Sequence, residues 1–147
     1  MFQHHNKGFT LLETLLVLTI VSVMSFVLIF NVSGMQKKKV ISTFFEQFEK
    51  DYFYAQQHAI VHQRVIYIIF DVSNTTYVIQ KGAFDGTLVS RTYPSTLNLQ
   101  LGTLGNRIAI HPSGSIQKSG TMRIDYHDEK YEVIFYLGKG RFRVKQL

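Results

Sequence analysis

Apolar residues run almost unbroken from Leu11 to Phe30, and no charged residue occurs between Thr14 and Gln36. Read as a helix rising about 1.5 Å per residue, the uncharged stretch is about 35 Å long, enough to cross a bilayer core once. Beyond Gly34 the apolar residues narrow to one face made of Ile41, Phe44, Phe45, Phe48, Tyr52, Ala55 and Ala59. Glu46, Glu49, Lys50 and Gln57 fall mainly elsewhere. That spacing predicts an amphipathic helix laid against a sheet. Continuous from Phe9 to about His62, such a helix would be about 80 Å long, with Asn31, Ser33 and Gly34 as its expected kink.

After Gln63 the pattern changes to β-branched and aromatic runs. The predicted strands are Val65 to Phe70, Thr76 to Gln80, Leu88 to Tyr93, Leu97 to Leu101, Ile108 to His111, Thr121 to His127, Tyr131 to Leu137 and Arg141 to Lys145. Between them lie turn signals such as Ser73-Asn74, Asp85-Gly86, Pro112-Ser113-Gly114, Asp128-Glu129 and Gly138-Lys139-Gly140. The expected architecture is α+β: a long N-terminal helix packed on an antiparallel β-sheet or two small sheets.

Composition changes this picture in two ways. The 147 residues contain no cysteine, which removes disulfides, thiolate metal sites, a cysteine nucleophile and a lipidated N-terminal Cys. The formal charge of +6 suits a polyanion or an anionic membrane, and is also common on surfaces that bind neither.

A secretory signal peptide is the competing reading of the N-terminal run, with Lys7 as its positive flank. Against it stand the length of the run, the lack of a small-x-small site after it, and Glu13 within its beginning. A lone carboxylate costs about 2.5–3.5 kcal/mol at mid-bilayer and less near the edge, so Glu13 calls for a cation. The dipole at a helix's first turn and snorkelling to the bilayer edge are the plainer ways to accommodate it.

Lys7-Gly8-Phe9-Thr10-Leu11-Leu12-Glu13, followed by an apolar helix, resembles the leader of type IV pilins and pseudopilins. The resemblance implies cleavage between Gly8 and Phe9 by a prepilin peptidase, N-methylation of Phe9, and a role for Glu13 in neutralising the N-terminal amine of a neighbouring subunit. A buried ion pair of that kind satisfies two charges that are each unfavourable alone. It also implies four segments: a leader 1–8, a transmembrane and filament-core helix 9–33, its amphipathic continuation 34–63, and a β-rich globular domain 64–147. Cleavage would remove one lysine and leave a charge of +5. Lys37, Lys38 and Lys39 after the span outnumber Lys7 before it, so the positive-inside count opposes the topology the resemblance implies.

The helix end Asp51 to Gln63, the strand Val65 to Phe70 and the run Ile108 to Val144 with Pro112, Gly114 and Gly138 are similar in layout to minor pseudopilins of the GspH type. Among these they look most like the ComGD-type subunits of Gram-positive competence pili.

Other chemistry is sparse. His58 and His62 stand four apart, the spacing of a helical zinc pair, but no third ligand or HExxH pattern accompanies them, and surface or interface histidines are the expectation. His127, Asp128 and Glu129 fall at a hairpin turn, and His111 stands apart from them in sequence. With no nucleophile elbow, P-loop or dinucleotide fingerprint, neither enzymatic activity nor a cofactor is expected. Lys37 to Lys39 mark a membrane edge or meet lipid phosphates. Arg141, Arg143 and Lys145 alternate along the last strand, giving one solvated face that could also touch DNA phosphates.

The functional expectation is a minor pseudopilin of a competence (transformation) pilus, single-pass in the cell membrane with its globular domain outside. Its partners would be other major and minor pilins, the prepilin peptidase and the membrane. Alternatives are a type II secretion pseudopilin, or a tip subunit that contacts DNA through Arg141, Arg143 and Lys145.

Overall fold

In the computed structural model the described residues are 10–147 except 83, 84 and 139; for 27–38 the description covers the backbone only. Gly8 and Phe9, the expected cleavage and methylation positions, lie outside the described residues. The chain divides into two compact units between Val40 and Ile41. One helix, α1 (Leu11–His62), contributes to both, and Asn31, Ser33 and Gly34 lie within its helical backbone.

Thr10 starts the helix. Its carbonyl accepts the amides of Glu13 and Thr14 at 3.1 and 3.2 Å, and its Oγ1 accepts the Glu13 amide at 3.3 Å. Thr10 and Glu13 thus have the spacing of a capping box, which satisfies amides that a helix otherwise leaves unpaired. From Thr10 to Phe26 every residue is exposed. Three hydroxyls of this stretch bond inward: Thr14 Oγ1 to the Leu11 carbonyl, Thr19 Oγ1 to Leu16 and Ser25 Oγ to Val21, at 2.7–2.9 Å. Such back-bonding satisfies these three hydroxyl protons within the helix. Among the described residues no helix is long and apolar enough to cross a membrane.

In the second unit the remainder of α1 covers two four-stranded antiparallel sheets. The strands are β1 (Ile66–Asp71), β2 (Thr76–Lys81), β3 (Thr87–Thr92), β4 (Leu97–Gln100), β5 (Arg107–Ile110), β6 (Gly120–Tyr126), β7 (Glu129–Phe135) and β8 (Phe142–Gln146). All eight expected strands form, with ends shifted by one or two residues. One sheet has the order β3-β2-β1-β5 and the other β4-β6-β7-β8. The chain therefore changes sheets at β4, returns for β5, and changes again at β6.

Alternation sets the inner faces: Ile66, Ile68 and Phe70 of β1 and Ile124 and Tyr126 of β6 point in and are buried, while their neighbours in sequence are less so. Against them α1 buries Ile41, Phe44, Phe48, Tyr52, Ala55 and Ala59, the face its periodicity predicts. Phe45 is only half-buried and meets the Tyr131 ring edge-on at 5.5 Å.

Phe48 lies at the centre. Its ring is 5.8 Å from Phe70 and 5.6 Å from Tyr77 of the first sheet, and 6.3 Å from Phe135 and 5.4 Å from Phe142 of the second. One helical side chain thus packs against both sheets. Further along, Ala55 and Ala59 keep the helix surface low where larger residues would hold the sheets away.

The helix stops in a Schellman turn. Gln63 takes a left-handed conformation (φ 51°), the Arg64 amide reaches back to the Ala59 carbonyl at 3.2 Å, and Gln63 Nε2 donates to the Ile60 carbonyl at 2.7 Å.

Candidate functional site

Glu13 is exposed on the first turn of α1, among leucines at positions 11, 12, 15 and 16. Its backbone belongs to the Thr10 cap, and its carboxylate lies where the helix dipole favours a negative charge. An apolar surface with one acid at its amino end can pack in a dry medium and register against a single cation.

Among the described residues, Asp51 is the one charged residue that the second unit buries, at 4% exposure. It lies on the covered face of α1 between Phe48 and Tyr52. Its carboxylate accepts hydrogen bonds from the Tyr77 hydroxyl on β2 (2.8 Å), from Arg91 on β3 through Nε (2.9 Å) and Nη2 (3.2 Å), and from Gln47 Nε2 one turn earlier (3.0 Å). Burial, followed by the bond to Asp51, pushes the Tyr77 hydroxyl far above its ordinary range, and Asp51 raises the Arg91 guanidinium. The network ties the helix to two strands of one sheet.

Sequence reasoning missed this pair. Asp51 has the right phase for the buried face, but its partner is forty residues away on a strand whose register is set by tertiary structure.

A second polar tie joins the loops. Gln56 Nε2 donates to the carbonyls of Gly114 (2.6 Å) and Gly140 (3.2 Å), one in the loop after β5 and the other just before β8. Gly140 has a left-handed φ of 55°, and a Cβ there would collide with Gln56 Nε2 and approach the Gly114 carbonyl oxygen to 2.7 Å.

The histidine pair does come together: the rings of His58 and His62 have centroids 4.0 Å apart. Burial first, then the charges of His62 and Lys81, pull His58 below its ordinary pKa. Among the described residues no group of three or more potential metal ligands forms. His127 turns the chain between β6 and β7 with φ 53° and packs on Tyr126 at 4.5 Å, while Glu129 accepts the Tyr131 hydroxyl.

Arg143 and Lys145 share the outer face of β8, while Arg141 precedes the strand. Lys145 stands across from Glu132, which in turn faces Arg123, and Asp125 faces Lys130. Arg143 stands across from Ile134. Charges of both signs thus alternate over this sheet. Arg141 instead lines a groove with Glu49, Tyr52, Phe53 and Phe142.

Residues 3–29 match the family model described as the prokaryotic N-terminal methylation motif. Across 143 residues the chain is 29% identical to the competence protein ComGD of Bacillus subtilis (strain 168), covering 97% of this chain and 96% of ComGD. Its fold is similar to that of the type IV minor pilin FimU of Pseudomonas aeruginosa (strain PAO1), with a TM-score of 0.59 and 16% identity over 75% of this chain and 90% of the FimU chain. The minor pseudopilin EpsH from the type 2 secretion system of Vibrio cholerae is similar at a TM-score of 0.50 and 19% identity, covering 68% of this chain and 91% of EpsH. Motif, sequence similarity and fold point the same way: the chain is similar to ComGD along its length and shares the fold of type IV minor pilins.

Proposed function

We propose that this chain is a minor pilin subunit of a competence pilus, assembling with other pilins to support DNA uptake. The similarity to ComGD over nearly the whole length of both chains carries the reading. In this reading a prepilin peptidase cuts the precursor between Gly8 and Phe9, and Phe9 is N-methylated. The apolar helix 9–33 holds the subunit in the cell membrane and later packs in the filament, with the globular domain outside. Support comes from the uncovered apolar surface between Leu11 and Phe26, since a helix that is apolar all round requires lipid or other helices as its surroundings.

Glu13 supplies registration. As the subunit leaves the bilayer, its carboxylate offsets the new N-terminal ammonium of a neighbouring subunit, a pair that low dielectric strengthens and that neither ion could replace with water. The chemistry is therefore packing and charge pairing, with no catalytic step. Mass spectrometry of the mature N-terminus tests the maturation: a chain beginning at methylated Phe9 is expected, and Gly8→Val should leave the precursor uncut. Normal processing of that variant would defeat the leader assignment. Glu13→Ala should still enter the membrane but fail to join filaments, as read by shearing and immunoblotting. Transformation frequency in a deletion strain separates this reading from protein secretion, which the fold likeness to EpsH alone would equally suit.

A further inference from the structure

Several cations of the globular unit lie beside a carboxylate. Arg91 is held by Asp51, Arg64 lies 3.9 Å from Asp85, Arg123 and Lys145 flank Glu132, Lys130 faces Asp125, and Arg141 shares a groove with Glu49. Arg107 and Lys118 are different. Both line one open depression of about 330 Å³ beside β5, together with Leu104, Ile108, Ala109 and Gln117, and no carboxylate lines it. Arg107 lies at the start of β5, with its guanidinium carbon 4.8 Å from the centroid of the Tyr67 ring on β1. Lys118 is exposed on the segment that leaves the sheet after the Gln117 amide bonds the Ala109 carbonyl at 2.9 Å.

We infer that Arg107 and Lys118 form a binding site for the phosphodiester backbone of a nucleic-acid strand. A ring face attracts a guanidinium without cancelling its charge, so Tyr67 limits where Arg107 points while leaving N–H donors for an anion. Two cations converging on a depression without a carboxylate give a field of one sign, whereas the outer face of β6, β7 and β8 alternates signs and would repel a phosphate about as often as attract it. The site is too open to hold a single phosphate tightly. A strand presents phosphates repeatedly, and the Tyr67 ring beside Arg107 offers an aromatic group against which a base can lie. Contacts of this type position a backbone and carry no base readout.

The site lies in the globular unit and does not depend on the assembly reading, which maturation and filament assays test separately. Fluorescence anisotropy of a labelled single-stranded oligonucleotide with the full chain in non-ionic micelles provides the test. Binding is expected to weaken with salt, with a slope of log K against log salt of about −1.4 for two phosphates. Arg107→Ala with Lys118→Ala should weaken binding about 10-fold and flatten that slope, while Arg143→Ala with Lys145→Ala leaves both nearly unchanged. Lys118→Ala alone, at an exposed position, should lower affinity without altering the circular dichroism spectrum. No binding at low salt would overturn the inference, as would equal losses from the two double variants. Competition by inorganic phosphate as strong as by unlabelled oligonucleotide would overturn the nucleic-acid assignment and leave an anion site only.

Discussion

Between Thr10 and Phe26 α1 exposes every residue, whereas from Ile41 to Ala59 the same helix buries a continuous face under two sheets. The first stretch is held by what each residue can do locally: a threonine cap, back-bonded hydroxyls and good helix formers such as leucine. The second is held by distant partners, with Phe48, Asp51 and Gln56 each reaching strands or loops far along the chain. Local interactions hold one stretch, and distant parts of the chain hold the other. Substitutions should therefore separate into those that unfold the globular unit and those that leave it intact.

Phe48→Ala should have the largest effect on stability. It removes the ring shared by both sheets and should cost about 4 kcal/mol, within the usual range for a buried phenylalanine. Denaturant unfolding of the full chain in micelles, followed by tyrosine fluorescence, measures it, since the chain has eight tyrosines and no tryptophan. A change below about 1 kcal/mol would break the contrast between the two stretches.

Asp51→Ala comes next, at about 2 kcal/mol. It leaves the Tyr77 hydroxyl without its acceptor, but the side chain of Arg91 is 45% exposed and can recover hydration. Asp51→Asn keeps a Tyr77 bond while losing the charge, and should fall between this variant and the parent.

The smallest effect is a pH dependence from His58. Its folded pKa is depressed below 6.5, so the folded state disfavours its protonated form. Above that value the imidazole is neutral in both states and costs nothing. As pH falls below 6.5 the unfolded chain takes up the proton first, and stability declines until the folded pKa is passed. An unfolding midpoint that falls between about pH 7 and pH 5, less steeply in His58→Gln, is the expected outcome.

The sequence made the covered face of α1 and the eight strands legible because both follow local periods, of 3.6 and 2 residues. Arg143 and Lys145 were legible as a pair on one strand face, but their separation from Arg141 was not, because it depends on where β8 begins. The order of the strands was hidden as well. Nothing in Arg107–Ile110 says that this segment joins β1 instead of the neighbours on either side of it in sequence. The role of Asp51 was not legible because its partner Arg91 is specified by sheet register. The depression shared by Arg107 and Lys118 forms only once the chain beyond β5 folds back, as the bridge between Ile110 and Ile116 records.

The amide of Gln56 has a consequence for how this domain can vary. One side chain measures the distance between two loop backbones, so positions 56, 114 and 140 act as a single unit of inheritance. A larger residue at 140 becomes tolerable only when residue 56 is shortened, and that shortening releases the loop at 114 as well. Single changes at Gly140 should therefore fail, while their rescue should require a second change on the helix.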